Sequence, residues 1–220
     1  MVAERDGKYH NFLDFFLPPR DNHGTQPGFE TMIHLIGVDH RTQYFNQMIP
    51  PELFDEFKEF IIHHARTLKA TLLAEEFHEE YLKEVYFSPS GTLRSVAMKL
   101  QTAHRYCDPC DHEKEKLGIP FYADIRESVV MELGFSKDYF LDPQKRNRAK
   151  RLTAKLVYAF FPVRESFWIA RLEENIFARV IFICGHEHIT SFTQMLLQRG
   201  IPCRVIAPFW KGDFFKDFTS

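Results

Sequence analysis

The sequence lacks the signature motifs of several large enzyme classes. It contains no Gly-x-Ser-x-Gly, no phosphate-binding Gly-x-x-x-x-Gly-Lys loop and no Gly-x-Gly-x-x-Gly. No run of 18 apolar residues predicts a membrane span, and no basic segment followed by an apolar stretch predicts a secretory signal. Four cysteines are too few for a disulfide framework in a chain of 220 residues. We therefore expect a cytoplasmic protein outside the nucleophile-elbow hydrolase, P-loop and ordinary dinucleotide-binding classes.

The charge balance also excludes a class of partner. With 28 basic and 30 acidic residues, the formal net charge of −2 argues against nucleic acid as a ligand. The basic residues cluster once, in the run from Lys145 to Arg151. A solvated helix face is the simpler interpretation of that run, and a phosphate contact is the alternative.

Apolar strands alternate with amphipathic helices along most of the chain. The predicted strands are Thr31–Val38, Ala70–Ala74, His104–Cys107, Ala178–Cys184 and Cys203–Ile206. This alternation predicts an α/β fold with a mostly parallel central sheet and helices on both faces. We expect an N-terminal arm over residues 1–30, the α/β domain over residues 31–207 and an aromatic tail over residues 208–220. The tail either packs back on the domain or forms a contact with a partner, a homodimer included.

The chain repeats Gly-x-x-His at the ends of two apolar runs. Gly37 and His40 follow the first predicted strand, and Gly185 and His188 follow the fourth. A glycine at a strand end permits a sharp turn or a close approach of the backbone to a ligand. Because open α/β sheets bind their ligands at the carboxyl ends of the strands, the two histidines are expected to share one crevice.

Other strand ends and one helix start carry further candidate residues. Glu75 and Glu76 follow the second predicted strand and are candidates for a general base, a metal ligand or a histidine partner. Asp108 follows the third, where a turn-forming Asp-Pro is the alternative reading. Arg164 begins a helix and is a candidate to hold an anion or a carboxylate. His186 lies beside His188 and is a candidate substrate contact, together with Gly37, Gly185 and Asp108.

Cys107 and Cys110 form a Cys-x-x-Cys between His104 and His112. All four residues lie within nine positions, which is cramped for tetrahedral zinc, and no second ligand pair follows at zinc-finger spacing. We therefore expect replacement of either cysteine by serine to leave the fold and the activity nearly intact.

Taken in order, these pieces resemble a known superfamily. The order runs Gly37-x-x-His40, Glu75-Glu76, Arg164-Glu165-x-x-Trp168 and Gly185-x-x-His188. This pattern is similar to that of the superfamily that joins the TraB and TIKI proteins, the ChaN haem-uptake proteins and the erythromycin esterases. His186 departs from it, since that superfamily usually has a small residue there. The resemblance implies a hydrolase or a metal-dependent, protease-like site, although some members of the superfamily bind ligands without known catalysis.

Two functional hypotheses follow. In the first, the protein hydrolyses an ester, amide or peptide-like bond of a small-molecule or peptide-like substrate. Either His40, Glu76 and His188 bind a divalent metal (Zn, Mn or Co) that activates water, or a histidine backed by a carboxylate activates water directly while Arg164 stabilises an oxyanion. In the second, the same residues bind a metal, haem or a small anion without catalysis. His188 is expected to contribute little to core packing in either case.

Overall fold

The structure of the protein is a computed structural model, which describes residues 32–44, 49–84, 91–173 and 179–216. Its five strands form one parallel sheet in the order β3-β2-β4-β1-β5. The strands are β1 (Met32–Val38), β2 (Leu72–Glu75), β3 (Ala103–Tyr106), β4 (Arg179–Gly185) and β5 (Cys203–Ala207). The predicted α/β fold with a parallel sheet is confirmed.

Nine α-helices are found in the described residues. They are α1 (Pro51–Thr67), α2 (Glu79–Glu84), α3 (Thr92–Leu100), α4 (Asp111–Leu117), α5 (Tyr122–Glu132), α6 (Pro143–Tyr158), α7 (Phe161–Glu173), α8 (Ile189–Gln198) and α9 (Gly212–Lys216). Short 3-10 helices cover His40–Thr42, Tyr139–Leu141 and His186–His188. Within the described ranges, no helix is long and apolar enough to cross a membrane.

The sheet separates two apolar cores. Six of the seven residues of β1 and of β4 are buried, which explains their continuous apolar sequences, since strands covered on both faces need no alternation. On one face, α1 and α3 pack on the sheet together with Trp210 and Phe215 from the tail. On the other face, α7 and α8 pack around Trp168 and Phe192. The described part of the aromatic tail thus packs back on its own domain, while Phe218 and the predicted arm lie outside the described residues.

Most predicted boundaries agree with the structure to within one or two residues, with one consequential difference. β2 runs from Leu72 to Glu75 rather than from Ala70 to Ala74, so Glu75 is the last residue of the strand and Glu76 the first beyond it. The side chain of Asp142 caps α6 by accepting hydrogen bonds from the Gln144 and Lys145 amides. The basic run lies on this helix, where all its lysine and arginine side chains are exposed.

Candidate active site

Polar side chains from three neighbouring strands meet at the carboxyl edge of the sheet. His40 follows β1, Glu76 follows β2 and His188 follows β4. The Nε2 atom of His40 lies 3.8 Å from Oε2 of Glu76, and Nε2 of His188 lies 3.3 Å from Oε1. The two Gly-x-x-His segments, distant in sequence, therefore converge on a single carboxylate because β2, β4 and β1 are adjacent and parallel.

Glu76 is the centre of this cluster and is fixed from both sides. Its Oε2 accepts a hydrogen bond from the Gly185 amide at 2.8 Å, and its Oε1 accepts one from the Arg164 guanidinium at 2.6 Å. Burial alone would raise the pKa of this carboxyl group, but the charges of His188, His40 and Arg164 outweigh burial and hold the pKa well below its ordinary value. Glu76 is therefore an ionised, immobilised hydrogen-bond acceptor.

Arg164 is bound by carboxylates rather than open to a substrate. Its Nε and one terminal nitrogen donate to Oδ1 of Asp108 at 3.0 and 2.7 Å, in addition to the bond to Glu76. The Trp168 indole donates to the same Asp108 oxygen at 3.1 Å. Burial would lower the pKa of Arg164, but the two carboxylates raise it above its ordinary value. The geometry thus places Asp108 and Arg164 behind Glu76, where Asp108 orients the arginine.

His188 is part of the packed interior. Its side chain is 3% exposed, and its ring stacks on Phe161 at 3.5 Å between centroids. Nδ1 donates to Oε1 of Glu165 at 2.8 Å, so both ring nitrogens face carboxylates. Burial would lower the pKa of His188, but the charge of Glu76 and the hydrogen bonds to Glu165 and Glu76 raise it. The expectation that this histidine contributes little to packing is therefore wrong.

His40 has the opposite environment. Its side chain is 46% exposed, and it begins a 3-10 helix that Asp39 caps by accepting a hydrogen bond from the Arg41 amide at 3.0 Å. The Arg41 side chain also donates to both oxygens of Asp39, which fixes the turn. The imidazole packs against Phe77 in a T-shaped arrangement, and Nε2 faces Glu76. Of the two paired histidines, His40 is the one that solvent and a substrate can reach.

The two motif glycines have different steric roles. A Cβ atom at position 185 would lie 2.7 Å from Nε2 of His40, so Gly185 permits the imidazole to approach the backbone. A Cβ atom at position 37 would lie 2.1 Å from the Pro208 carbonyl oxygen, so Gly37 permits the segment after β5 to cross β1. The Trp210 amide donates to the Gly37 carbonyl at that crossing. Gly37 is thus a packing residue, whereas Gly185 is in direct contact with the site.

Two other predicted site residues lie beside this cluster rather than in it. Glu75 is fully buried and contacts Gln43 and His104, whose nitrogens lie 3.2 and 2.9 Å from its two oxygens. His186 stacks on Phe209 with a centroid distance of 3.7 Å and nearly parallel rings. Glu75 therefore reaches His40 only through Gln43, and His186 is held by the tail.

The three predicted metal ligands lie close together, but the donor atoms of Glu76 and His188 already take part in hydrogen bonds or ion pairs. Both oxygens of Glu76 already accept hydrogen bonds, and both nitrogens of His188 face carboxylates. The Arg164 cation occupies the flank of Glu76 at 2.6 Å, where it would repel a divalent ion. Among the residues that the structure describes, no group of three or more His, Cys, Asp or Glu side chains is arranged to hold a metal ion. This donor set fits an ion-pair network better than a metal centre.

The Cys-x-x-Cys does not form part of this site. Cys107 is buried, Cys110 is half-buried, and both are free thiols. Burial raises the pKa of the Cys107 thiol far above its ordinary range, which suppresses the thiolate that metal binding or redox chemistry requires. The nearby His104 is engaged with Glu75.

Two residues of the site were not among the predicted site residues, although Glu165 stands in the Arg164-Glu165-x-x-Trp168 pattern. Glu165 lies on the buried face of α7, between Phe161 and Trp168 at helical spacing, and a carboxylate at an apolar position was a readable signal. Gln43 lies in a polar turn after the 3-10 helix, and nothing in the local sequence indicates that it is 1% exposed.

Comparisons with protein-family models, curated proteins and solved structures find no match to this chain.

Proposed function

We propose that the protein is a hydrolase of ester, amide or peptide-like bonds in which His40 is the general base. The supporting observation is the 3.8 Å separation between Nε2 of His40 and Oε2 of Glu76. That separation suits one water oxygen placed within hydrogen-bond reach of both atoms. An imidazole that accepts a proton from a water molecule, beside a carboxylate that accepts a hydrogen bond from the other O–H of that water, is an arrangement that activates water.

The proposed reaction balances through these two side chains. Nε2 of His40 accepts a proton from water as the water oxygen bonds to the substrate carbonyl carbon. The tetrahedral intermediate then collapses, the carbon–oxygen or carbon–nitrogen bond of the leaving group breaks, and the His40 imidazolium returns the proton to the departing oxygen or nitrogen. Glu76 orients the water and stabilises the transient imidazolium.

The other groups are assigned to positioning Glu76 rather than to proton transfer. His188 is enclosed between Glu76 and Glu165 beneath Phe161, so a substrate cannot reach either nitrogen. Arg164 makes three hydrogen bonds to Glu76 and Asp108, so it is assigned to holding that carboxylate rather than to the oxyanion predicted from sequence. The general-base route is preferred to the metal route because the Arg164 cation, 2.6 Å from Oε1 of Glu76, would repel a divalent ion.

The first test is the substitution His40→Gln, assayed on a panel of ester, amide and peptide substrates. Loss of a general base costs about two to four orders of magnitude in rate. The melting temperature should change little because the side chain is half-exposed. His63→Gln, an exposed histidine on α1, is the matched control and should keep full activity. Near-native turnover of His40→Gln would refute the assignment.

A second test separates the two hydrolytic routes. The enzyme is dialysed exhaustively against a chelator, its metal content is measured, and turnover is assayed. Direct general-base catalysis predicts full activity in metal-free protein, whereas a metal-activated water predicts a loss that zinc, manganese or cobalt restores.

A further inference from the structure

A chain of hydrogen bonds leads away from His40 on the side opposite to Glu76. Nδ1 of His40 lies 2.9 Å from Oε1 of Gln43, Nε2 of Gln43 donates to Oε2 of Glu75 at 3.2 Å, and Oε1 of Glu75 lies 2.9 Å from Nε2 of His104. Gln43 and Glu75 are 1% and 0% exposed, so water does not compete for these bonds. The half-exposed histidine is thus attached to a buried polar chain.

The chemistry of the groups gives each bond a direction. A carboxylate only accepts, so the amide nitrogen of Gln43 must face Glu75, and the opposite orientation would place two oxygens in contact. The amide oxygen of Gln43 then faces Nδ1 of His40 and can only accept a proton from it. In a neutral imidazole, a proton on Nδ1 leaves the lone pair on Nε2.

We propose that Gln43, oriented by Glu75 and His104, is a positioning residue that keeps the proton of neutral His40 on Nδ1 and its lone pair on Nε2, directed toward Glu76. Without this acceptor, the Glu76 carboxylate 3.8 Å from Nε2 would attract the proton to that nitrogen. Nε2 could then no longer accept a proton from water. Gln43 opposes that tendency.

The catalytic consequence rests on the proposed function, whereas the tautomer itself does not. An amide does not readily relay a proton, so Glu75 and His104 act on His40 through orientation rather than through proton transfer. Gln43→Met keeps the length of the side chain but removes both hydrogen bonds. We expect its kcat to fall about tenfold or more with little change in KM, since a base in the wrong tautomer is inactive.

The tautomer can be measured directly by 15N NMR of the imidazole nitrogens, at about pH 8, where an ordinary histidine is neutral. The His40 signals are assigned by their loss in His40→Gln. The wild-type spectrum should show the proton on Nδ1, and Gln43→Met should move it to Nε2. Gln194→Met, an exposed position on α8, is the matched control and should leave it on Nδ1. A wild-type proton on Nε2, or an unchanged tautomer in Gln43→Met, would overturn the proposal.

A double exchange protects the test against misfolding of Gln43→Met. Gln43→Glu combined with Glu75→Gln keeps the volume, the net charge and every bond of the chain, because the carboxylate and the amide only trade places. This variant should retain the Nδ1 proton and lose less than about tenfold in kcat. A proton on Nε2 in this variant would contradict the proposal. Full activity of His40→Gln, together with the predicted tautomers in the wild type and Gln43→Met, would refute the assignment of His40 as the general base and leave the positioning role of Gln43 intact.

Discussion

Replacing Gly185 with alanine should lower the proposed hydrolase activity about a hundredfold without unfolding the protein. The new methyl group would lie 2.7 Å from Nε2 and 3.0 Å from Cε1 of His40, where ordinary contact begins at 3.4 Å. The imidazole must therefore retreat by about 0.7 Å or rotate, and this widens its separation from Glu76. A misplacement near 1 Å in a reacting group can cost about a hundredfold in rate. We expect kcat/KM to fall by about that factor.

The fold should tolerate this change. Gly185 has φ −53° and ψ 135°, which alanine adopts without strain. The displaced ring is half-exposed and can move toward solvent. Alanine also reduces the freedom of the unfolded chain, which stabilises the protein by about 0.4–1 kcal/mol at compatible positions. The melting temperature should therefore stay within a few degrees of that of the wild type.

Gly37→Ala is the matched control, because it alters the other Gly-x-x-His segment by the same methyl group. Its Cβ would lie 2.1 Å from the Pro208 carbonyl oxygen and 2.7 Å from Cγ1 of Ile189, and neither backbone nor core can yield cheaply. Overpacking of this kind costs about 1–3 kcal/mol, or about 3–10 °C in a domain of this size. Turnover and thermal melts of both variants, with a crystal structure of Gly185→Ala, test the distinction. Native activity of Gly185→Ala, or a structure in which His40 has not moved, would refute the reasoning.

Three further outcomes follow from the buried ion pairs. Arg164→Met removes the cation that joins Glu76 to Asp108 and should cost about 3–5 kcal/mol in urea unfolding, whereas Arg171→Met, at a half-exposed pair, should cost about 1 kcal/mol or less. His188→Gln should also destabilise, and comparable stability to wild type would show that its buried pairs contribute nothing. The difference in unfolding free energy between wild type and His188→Gln should depend on pH. Because folding raises the pKa of His188, its protonated form stabilises the fold fully below the ordinary pKa of 6.5, and this stabilisation is lost as the pH rises through the folded-state pKa. Because folding lowers the pKa of Glu76, its ionised form stabilises the fold above the ordinary pKa of 4.5, and this stabilisation is lost as the pH falls through the folded-state pKa. That difference should therefore be largest between about pH 4.5 and 6.5, and a maximum above pH 8 would contradict the assignment.

The sheet and the meeting of the two histidines could be predicted because both depend on local patterns. Continuous apolar strands that alternate with helices specify a parallel sheet, and parallel strands place their carboxyl ends at one edge. The sequence does not predict the helix α5 in the same way. It buries only Ile125 and Val129 of its eleven residues, so no apolar stripe marks it in the sequence.

The partners within the site were harder to predict, because they depend on which strands are neighbours. β2 lies beside β4 and not beside β1, so Glu76 reaches Gly185 directly while Glu75 turns toward β3 and His104. Adjacent glutamates at the end of one strand point to opposite sides, which sequence alone cannot assign. For the same reason the sequence does not predict a role for Gln43, because that role depends on its hydrogen bond to the buried Glu75.

The two histidines of the repeated motif differ in chemistry because their surroundings differ. His188 has carboxylates at both nitrogens and an aromatic ring across its face, and this environment favours a fixed positive charge. His40 has an amide oxygen 2.9 Å from Nδ1, and its side chain is 46% exposed, so its Nε2 is open to solvent. A charged histidine and Arg164 on one side of Glu76 keep that carboxylate ionised for the histidine on the other side. The repeated sequence motif therefore produces an asymmetric pair, in which the buried member holds the carboxylate and the other is open to solvent.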